Sequence, residues 1–370
     1  MAPRIGLNLL YLAPGDTGGT EVYARALVPR LAAAWPEAEW TVFCGRELGA
    51  ELRERPWAAP LHVVTIPASS HTRVRRVAAE QTLLPAAIAR SRVDLVHSLA
   101  STTPILAPCK TVVTIHDVIY KRHPDAHAGL LTQGMALLVP AAARRADRIV
   151  VSAHAAGDDL QHYLGVPAEK IDVVPLGPGL EPDVAPTGEA ELRERLGLGD
   201  GPLVLSVSAR RPHKNLPRLI DAMRGVDATL VLPGYPTVFD EELRAHAGDA
   251  RVVFAGWVDD ADLEGLYRAA TLLAFPSLAE GFGLPVLEAM RRGLPVACSG
   301  TTSLPELVGD AALTFDPEST DAIRGAIERL LGDAALRADL ARRGRERAEL
   351  FSWERTARGC VDTYKKALGA

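Results

Sequence analysis

Two glutamates flank a glycine-rich turn in the second half of the chain, in the string EGFGLPVLEAM that runs from Glu280 and includes Glu288. Pro285 suits the first turn of a helix, because its fixed φ is helical and its missing N–H is not needed there, and Gly293 predicts where that helix ends. Free backbone N–H groups from Gly283 onward would then face any anion ahead of the helix. Two carboxylates beside an anion repel it unless they bind other groups, and we expect those groups to be the hydroxyls of a sugar and a ribose.

Two further segments place chemistry-bearing side chains after apolar runs. Arg210 and Lys214 lie between such a run and a helical pattern. A helix start disfavours cations, so these two predict a specific task, such as neutralising the charge of a leaving anion. His116 and Asp117 follow the apolar run Thr111–Ile115.

Gly18 and Gly19 lie in the segment PGDTGGTE, between the first apolar run and the first helical pattern. Backbone N–H groups in such a loop can approach a phosphate. The segment lacks the G-x-G-x-x-G spacing of a dinucleotide fingerprint, which disfavours a dehydrogenase.

The composition limits the class of protein. The chain has 370 residues, 41 Lys and Arg against 46 Asp and Glu, and 48% hydrophobic residues. These values exclude a disordered chain and a basic nucleic-acid-binding protein. The four cysteines are widely spaced, which predicts buried free thiols rather than a zinc site or a disulfide framework. No apolar run reaches the roughly 18 residues of a membrane span, and the first residues do not resemble a signal peptide, so we expect a cytoplasmic protein.

Short apolar runs alternate with helical patterns along both halves. The predicted strands are residues 5–10, 40–44, 61–66, 93–97, 111–115 and 148–152, then 203–207, 229–232, 252–254, 272–275, 295–298 and 312–315. Pro29 is expected to kink the first helix or end it early. The dense Pro and Gly of residues 175–186 predict a linker. The alternation predicts an α/β fold with two doubly wound domains, whose ligands bind at the carboxyl ends of the strands in the cleft between them.

The string from Glu280 to Met290, with seven residues between its two glutamates, resembles the signature of retaining nucleotide-sugar glycosyltransferases of the GT-B architecture, specifically the large family 4. The resemblance implies two Rossmann-like domains facing across a cleft. Residues 1–176 would bind the acceptor, residues 177–350 the nucleotide-sugar donor, and residues 351–370 would form a helix that packs back on the first domain.

The resemblance also implies a role for each candidate residue. Glu280 would bind hydroxyls of the donor hexose and Glu288 the ribose of the nucleotide. Arg210 and Lys214, in a segment that resembles the family's R-x-x-K-N loop, would clamp the donor diphosphate, and His116 would contact the donor sugar. Further donor contacts, many of them through the backbone, would come from Gly18, Gly19, Gly234, Trp257, Val258, Gly281, Phe282, Gly283, Leu284 and Leu287.

For the reaction, the resemblance favours attack on the same face from which the nucleotide leaves. Arg210, Lys214 and the helix beginning at Pro285 would stabilise the leaving phosphate, whose oxygen would take the acceptor's proton. Neither a metal nor a cofactor is expected. The acidic pairs at 158–159 and 259–260 are interpreted as helix caps or helix-surface residues rather than as a D-x-D metal site.

Two weaker signals concern the donor and the acceptor. The strings EQTLLP from Glu80 and IHDVIYKRHP from Ile115 look like the branch that adds mannose or rhamnose-type sugars during O-antigen and related glycan assembly. GDP-mannose is therefore favoured over UDP-sugars, and a glycan or polyprenyl-linked glycan is the expected acceptor. Arg73, Arg75 and Arg76 predict either peripheral contact with the inner membrane face or a solvated helix face.

Two other functions stay open. One is a non-catalytic partner that binds nucleotide sugar or glycan in an assembly complex, and the other is a nucleotide-sugar epimerase of the same fold.

Overall fold

The computed structural model describes residues 2–15, 18–123, 130–179 and 184–369. The chain divides into two compact units: the described residues of Met1–Arg122, His127–Gly179 and Ser352–Ala370 form the first, and those of His123–Ala126 and Leu180–Phe351 the second. Parts of three segments quoted above lie outside the described residues, namely 16–17, 124 and 180–183.

The first unit is built on a parallel sheet. Its described strands are β1 (Arg4–Leu9), β2 (Glu39–Cys44), β3 (His62–Thr65), β4 (Leu95–Ser98), β5 (Lys110–Thr114), β6 (Arg148–Val151) and β7 (Ile171–Val173). They pair in the order β3-β2-β1-β4-β5-β6-β7, and each of these pairings is parallel. The order reverses between β1 and β4, which is where open α/β sheets bind ligands.

Helices follow most of these strands. They are α1 (Gly19–Ala34), α2 (Arg46–Glu54), α3 (Arg73–Ser91), α4 (Ile119–Arg122), α5 (Leu130–Arg145) and α6 (His154–Leu164). One buried cluster joins Phe43 and Val96 of the sheet to Leu84 of α3, and another joins Val113 to Val139 of α5. The strands are apolar along most of their length because helices cover the sheet.

The second unit repeats this plan. Its described strands are β8 (Leu203–Leu205), β9 (Thr229–Pro233), β10 (Val252–Gly256), β11 (Leu272–Phe275), β12 (Val296–Ser299) and β13 (Leu313–Phe315), paired in parallel in the order β10-β9-β8-β11-β12-β13. Its helices are α7 (Glu189–Leu196), α8 (Leu216–Met223), α9 (Asp240–Ala247), α10 (Asp260–Ala269), α11 (Leu284–Arg292), α12 (Leu304–Val308), α13 (Thr320–Gly332) and α14 (Ala334–Ala348). The order reverses between β8 and β11.

The C-terminal helix α15 (Trp353–Leu368) packs in the first unit, against α1, as the resemblance implied. The Trp353 indole N–H donates to the Pro178 carbonyl at 2.7 Å, and the Thr356 hydroxyl donates to the Pro175 carbonyl at 2.7 Å. The described part of the Pro-rich segment is thus fastened to the helix that returns to this unit.

Helix α1 does not end early at Pro29, which was one of the two expectations for this proline, because it continues to Ala34. A proline inside a helix removes one backbone hydrogen bond. Tertiary packing supplies most of the stability of a protein helix, and the buried face of Tyr23, Leu27 and Leu31 lies on both sides of this proline.

The four cysteines are free, with Cys44, Cys298 and Cys360 buried and Cys109 partly buried. Within the ranges that the structure describes, no helix is both long enough and apolar enough to span a membrane.

Candidate functional site

Lys214 and Glu280 meet at the carboxyl ends of neighbouring strands of the second unit. Lys214 follows β8 and Glu280 follows β11, the two strands between which the strand order reverses. The Lys214 Nζ donates to the Glu280 Oε1 at 2.5 Å, and the two side chains are 17% and 10% exposed. The pair therefore lies where a sheet of this kind binds its ligand, and it offers one charge of each sign.

The turn that carries Lys214 is fixed by Asn215. The turn is a short 3₁₀ helix, Pro212–Lys214, and Asn215 ends it with a left-handed φ of 57°, which asparagine adopts more readily than most residues. The buried Asn215 amide donates to the carbonyls of Pro276 at 3.1 Å and Pro317 at 2.7 Å. These bonds tie the turn after β8 to the end of β11. No role for Asn215 was predicted from the sequence.

The loop after β12 holds the main chain of Glu280. The Glu280 N–H donates to the Thr302 hydroxyl at 3.1 Å, and the Ser303 hydroxyl donates to the carbonyls of Glu280 at 3.0 Å and Phe282 at 3.1 Å. Thr302 has a φ of 54°, a conformation that is strained for a β-branched residue. Surrounding contacts must stabilise this conformation, so the loop has a specific shape.

Helix α11 begins and ends where the sequence predicts. Pro285 lies in its first turn, and Gly293 ends it with a φ of 70°. Gly283 precedes the helix with a φ of 106°, and a Cβ there would lie 2.6 Å from the Leu304 Cδ2, so this close turn favours glycine. The first N–H groups of a helix have no partner inside it and carry partial positive charge, which makes this end suitable for an anion.

Glu288 lies one turn inside α11 and is 8% exposed. The Tyr267 hydroxyl, from α10, donates to the Glu288 Oε2 at 2.7 Å. Burial, followed by the negative charge of Glu288, raises the pKa of Tyr267 well above its ordinary value, so the hydroxyl keeps its proton and acts as the donor. No sequence signal singled out Tyr267, because its partner lies on another helix.

Arg210 does not join this group. Its side chain is 1% exposed, and its guanidinium donates to the Asp240 carboxylate and, at 3.1 Å, to the Leu232 carbonyl. In this structure the Arg210 guanidinium is thus paired with Asp240, and Lys214 is the cation beside Glu280. The contact of Arg210 with a diphosphate stays a prediction.

Strands β9 and β10 end side by side in the region predicted to seat a base. The Gly234 N–H donates to the Gly256 carbonyl at 2.7 Å. The side chain of Trp257 is 59% exposed, and its ring centroid lies 6.3 Å from that of Tyr235. Val258 follows directly. At this edge of the sheet, the backbones of the two strand ends therefore lie close together beside an exposed aromatic ring.

His116 lies in the first unit, just after β5. Its Nε2 is 3.3 Å from the Leu99 carbonyl oxygen, and its ring packs edge-on to the Tyr23 ring at 4.8 Å between centroids. Burial lowers the pKa of His116 below its ordinary value, which favours a neutral imidazole. The Asp117 carboxylate accepts from the Ile119 N–H at 3.1 Å and so shapes the loop that follows.

Gly18 and Gly19 are exposed at the start of α1 in the first unit, where Gly18 has a φ of 55°. This is the position at which the sequence predicts backbone approach to a phosphate.

The acidic pairs occupy helices, as predicted. Asp259 caps α10 by accepting from the Asp262 N–H at 2.8 Å, and Asp159 lies on α6 and pairs with Arg122 at 3.0 Å. In the described part of the chain, no group of three or more His, Cys, Asp or Glu side chains is placed to hold a metal ion.

Comparisons with known proteins decide the family. A model for glycosyl transferases group 1 matches residues 189–347, and a model for glycosyltransferase family 4 matches residues 17–180. The chain is 31% identical over 269 residues to O-antigen chain mannosyltransferase B of Escherichia coli, an alignment that covers 69% of this chain and 70% of that protein. The chain belongs to glycosyltransferase family 4.

Two further similarities are to a second mannosyltransferase and to a solved structure. It is 29% identical over 292 residues to the serotype-specific mannosyltransferase WbdA of Escherichia coli, which covers 74% of this chain but only 36% of WbdA. The structure of Anabaena HepE in complex with UDP-glucose matches with a TM-score of 0.74 at 21% identity, over 98% of this chain and 99% of HepE. The glycosyltransferase therefore has the GT-B fold, with two Rossmann-like domains.

Within its second unit, the glycosyltransferase brings most of the predicted donor residues to one loop and one helix. These are Glu280, Gly281, Phe282, Gly283, Leu284, Leu287 and Glu288, with Lys214 in contact with the first of them. Their roles toward a donor stay predictions.

Proposed function

We propose that this family 4 enzyme transfers a hexose, with mannose favoured, from a nucleoside-diphosphate sugar to a glycan or lipid-linked glycan, with retention of configuration. The observation that supports this most is the contact of Lys214 with Glu280 beside the start of α11. A cation, a carboxylate and a helix N-terminus together suit a ligand that has both phosphates and hydroxyls.

In the proposed reaction, the bond between the sugar C1 and the phosphate oxygen breaks while the acceptor oxygen attacks the same face. Arg210, Lys214 and the N-terminus of α11 stabilise the charge that develops on the leaving diphosphate. The leaving phosphate oxygen takes the proton of the acceptor hydroxyl. Glu280 orients the hexose through its hydroxyls, Glu288 binds the ribose, and the neutral His116 contacts the sugar.

The proposed donor is GDP-mannose ahead of UDP-sugars. Two mannosyltransferases among the relatives support mannose, whereas the structural neighbour HepE was solved with UDP-glucose. A ligand that binds only the folded state raises the melting temperature. We would therefore measure melting with GDP, UDP, ADP and dTDP and with their sugars. A shift confined to one base identifies the donor class, whereas no shift with any of them contradicts the proposed donor site.

Turnover then distinguishes the functions that share this fold. Transfer of the sugar to an acceptor supports the proposal. Interconversion of the donor sugar without an acceptor would indicate an epimerase, and donor binding without turnover on any glycan acceptor would indicate a non-catalytic partner.

Replacing Glu288 by alanine is expected to weaken the binding of the nucleotide sugar about 10-fold or more, because a charge-assisted hydrogen bond is lost. Calorimetric titration measures this change, and a melting curve checks that the variant is folded. Glu318→Ala, at an exposed position of the same unit, is the matched control. Unchanged binding in the Glu288 variant would contradict the ribose role.

We also propose that transfer needs no metal ion, since Lys214 and the α11 N-terminus supply positive charge at the phosphates. Excess EDTA is then expected to leave the transfer rate within about twofold of that of the untreated enzyme. A loss of activity that added Mg²⁺ or Mn²⁺ restores would refute this.

A cytoplasmic location with peripheral contact at the inner membrane face is the proposed setting. At the start of α3, Arg73 and Arg75 are exposed and Val74 is 81% exposed, whereas Arg76 turns inward and donates to the Tyr11 carbonyl at 2.9 Å. Exposed basic and apolar side chains together favour a surface of anionic lipid.

A further inference from the structure

Four side chains of α10 and α11, one of them Glu288, form one buried chain of contacts. The Glu288 carboxylate accepts from Tyr267, and the Glu288 main-chain carbonyl accepts from the Arg292 guanidinium at 2.9 Å. Arg292 also pairs with Glu264 at 2.6 Å, and these two side chains are 5% and 1% exposed. The chain of contacts therefore runs from Glu264 through Arg292 and Tyr267 to the carboxylate of Glu288.

Each side chain in this chain of contacts restricts the position of the next one. The Arg292 guanidinium lies 4.7 Å from the centroid of the Tyr267 ring, so the ring is held against a planar cation that Glu264 anchors. Glu264 and Tyr267 are three residues apart on one helix, and Glu288 and Arg292 are four apart on the other, so each pair shares a helix face. The position of the Tyr267 hydroxyl is thereby determined by two helices.

The Tyr267 hydroxyl lies closer to the Glu288 carboxylate oxygen, at 2.7 Å, than to the Pro285 carbonyl oxygen, at 3.4 Å. A hydrogen bond to an ionised acceptor is stronger than a neutral one, and it limits the rotamers that the glutamate can adopt. A binding group that is already held in one orientation loses less conformational entropy when its ligand arrives. A second helix is well suited to supply such support, because it is rigid.

We propose that Tyr267 is a positioning residue for nucleotide recognition: it holds the Glu288 carboxylate in the orientation that accepts hydrogen bonds from the ribose hydroxyls of a nucleoside diphosphate. This inference rests on the proposed function, in which Glu288 binds the ribose. Tyr267 itself touches no ligand, and it acts only through Glu288.

The test compares two ligands that differ only in the ribose hydroxyls. GDP and UDP are titrated calorimetrically beside their 2′,3′-dideoxy counterparts, and the ratio of the two dissociation constants measures recognition of the hydroxyls. We expect the wild type to bind the ribonucleotide about 10-fold or more tightly. In Tyr267→Phe this ratio should fall at least about fivefold, while the affinity for the dideoxynucleotide changes less than about twofold.

A double-mutant cycle with Glu288→Ala shows whether Tyr267 acts through this carboxylate. The double variant should bind the ribonucleotide no more weakly than Glu288→Ala alone, because the two residues act as one unit. Tyr364→Phe is the matched control, since it removes a buried tyrosine hydroxyl that contacts His97 in the first unit. It should leave the ratio unchanged.

Arg292→Lys is the second variant, in case Tyr267→Phe does not fold. It keeps a cation for Glu264 but loses the planar group against the Tyr267 ring, and a smaller fall of the same ratio is expected. Equal weakening of both nucleotides by either variant would overturn the positioning role and leave the ribose role of Glu288 intact. A wild type that does not distinguish the two nucleotides would overturn both.

Discussion

Lys214→Met should lower kcat for sugar transfer by about 10²–10³-fold, the typical loss when one group that stabilises developing negative charge is removed. Lys214 is the cation that contacts Glu280, which lies in the loop leading to α11. Because its charge matters most when the diphosphate leaves, kcat should fall more than KM rises.

The single variant also leaves the nearly buried Glu280 without its cation, which by itself lowers the stability of the fold. The double variant Lys214→Met/Glu280→Gln removes the unpaired charge and should recover the melting temperature, so it measures the cost in stability. Its activity is not used, because Glu280 has its own proposed role toward the sugar. Lys110→Met, which breaks an exposed ion pair with Asp147 in the first unit, is the matched control. Activity of Lys214→Met within threefold of the wild type would exclude the proposed role.

Gly234→Ala should destabilise the second unit by about 3–5 kcal/mol, from backbone strain and from overpacking. Gly234 has a φ of 145°, and a Cβ there would lie 2.1 Å from the carbonyl oxygen of Ser208. That neighbour is backbone of the loop after β8 and cannot rotate away. This loop and the end of β9 would have to separate, and we expect nucleotide binding to weaken as well.

Chemical denaturation monitored by circular dichroism measures this loss. Gly325→Ala is the control, with the opposite expected effect on stability. Gly325 is exposed inside α13 with open space around it, so alanine there should stabilise the fold by about 0.5–1 kcal/mol. A Gly234→Ala variant as stable as the wild type would show that the close approach to Ser208 is not required.

Local chemistry explains why much of the fold was predictable. A proline in the first turn and a glycine after the last turn define α11 from within its own segment, and the apolar runs of both sheets are long enough to recognise. Strand β7 was missed because Ile171–Val173 is three residues at the sheet edge. The continuation of α1 through Pro29 was missed because packing on α15 acts over more than 300 residues of sequence.

The alternation of strands and helices and the loop with its two glutamates can be recognised in the amino-acid sequence, and with them the resemblance to the family. Which side chains meet depends on the tertiary structure, which pairs Glu280 with Lys214, Glu288 with Tyr267 and Arg210 with Asp240. Strand order and helix packing bring these partners together. Each pair is separated by 21 to 66 residues of chain, so no local pattern contains both members.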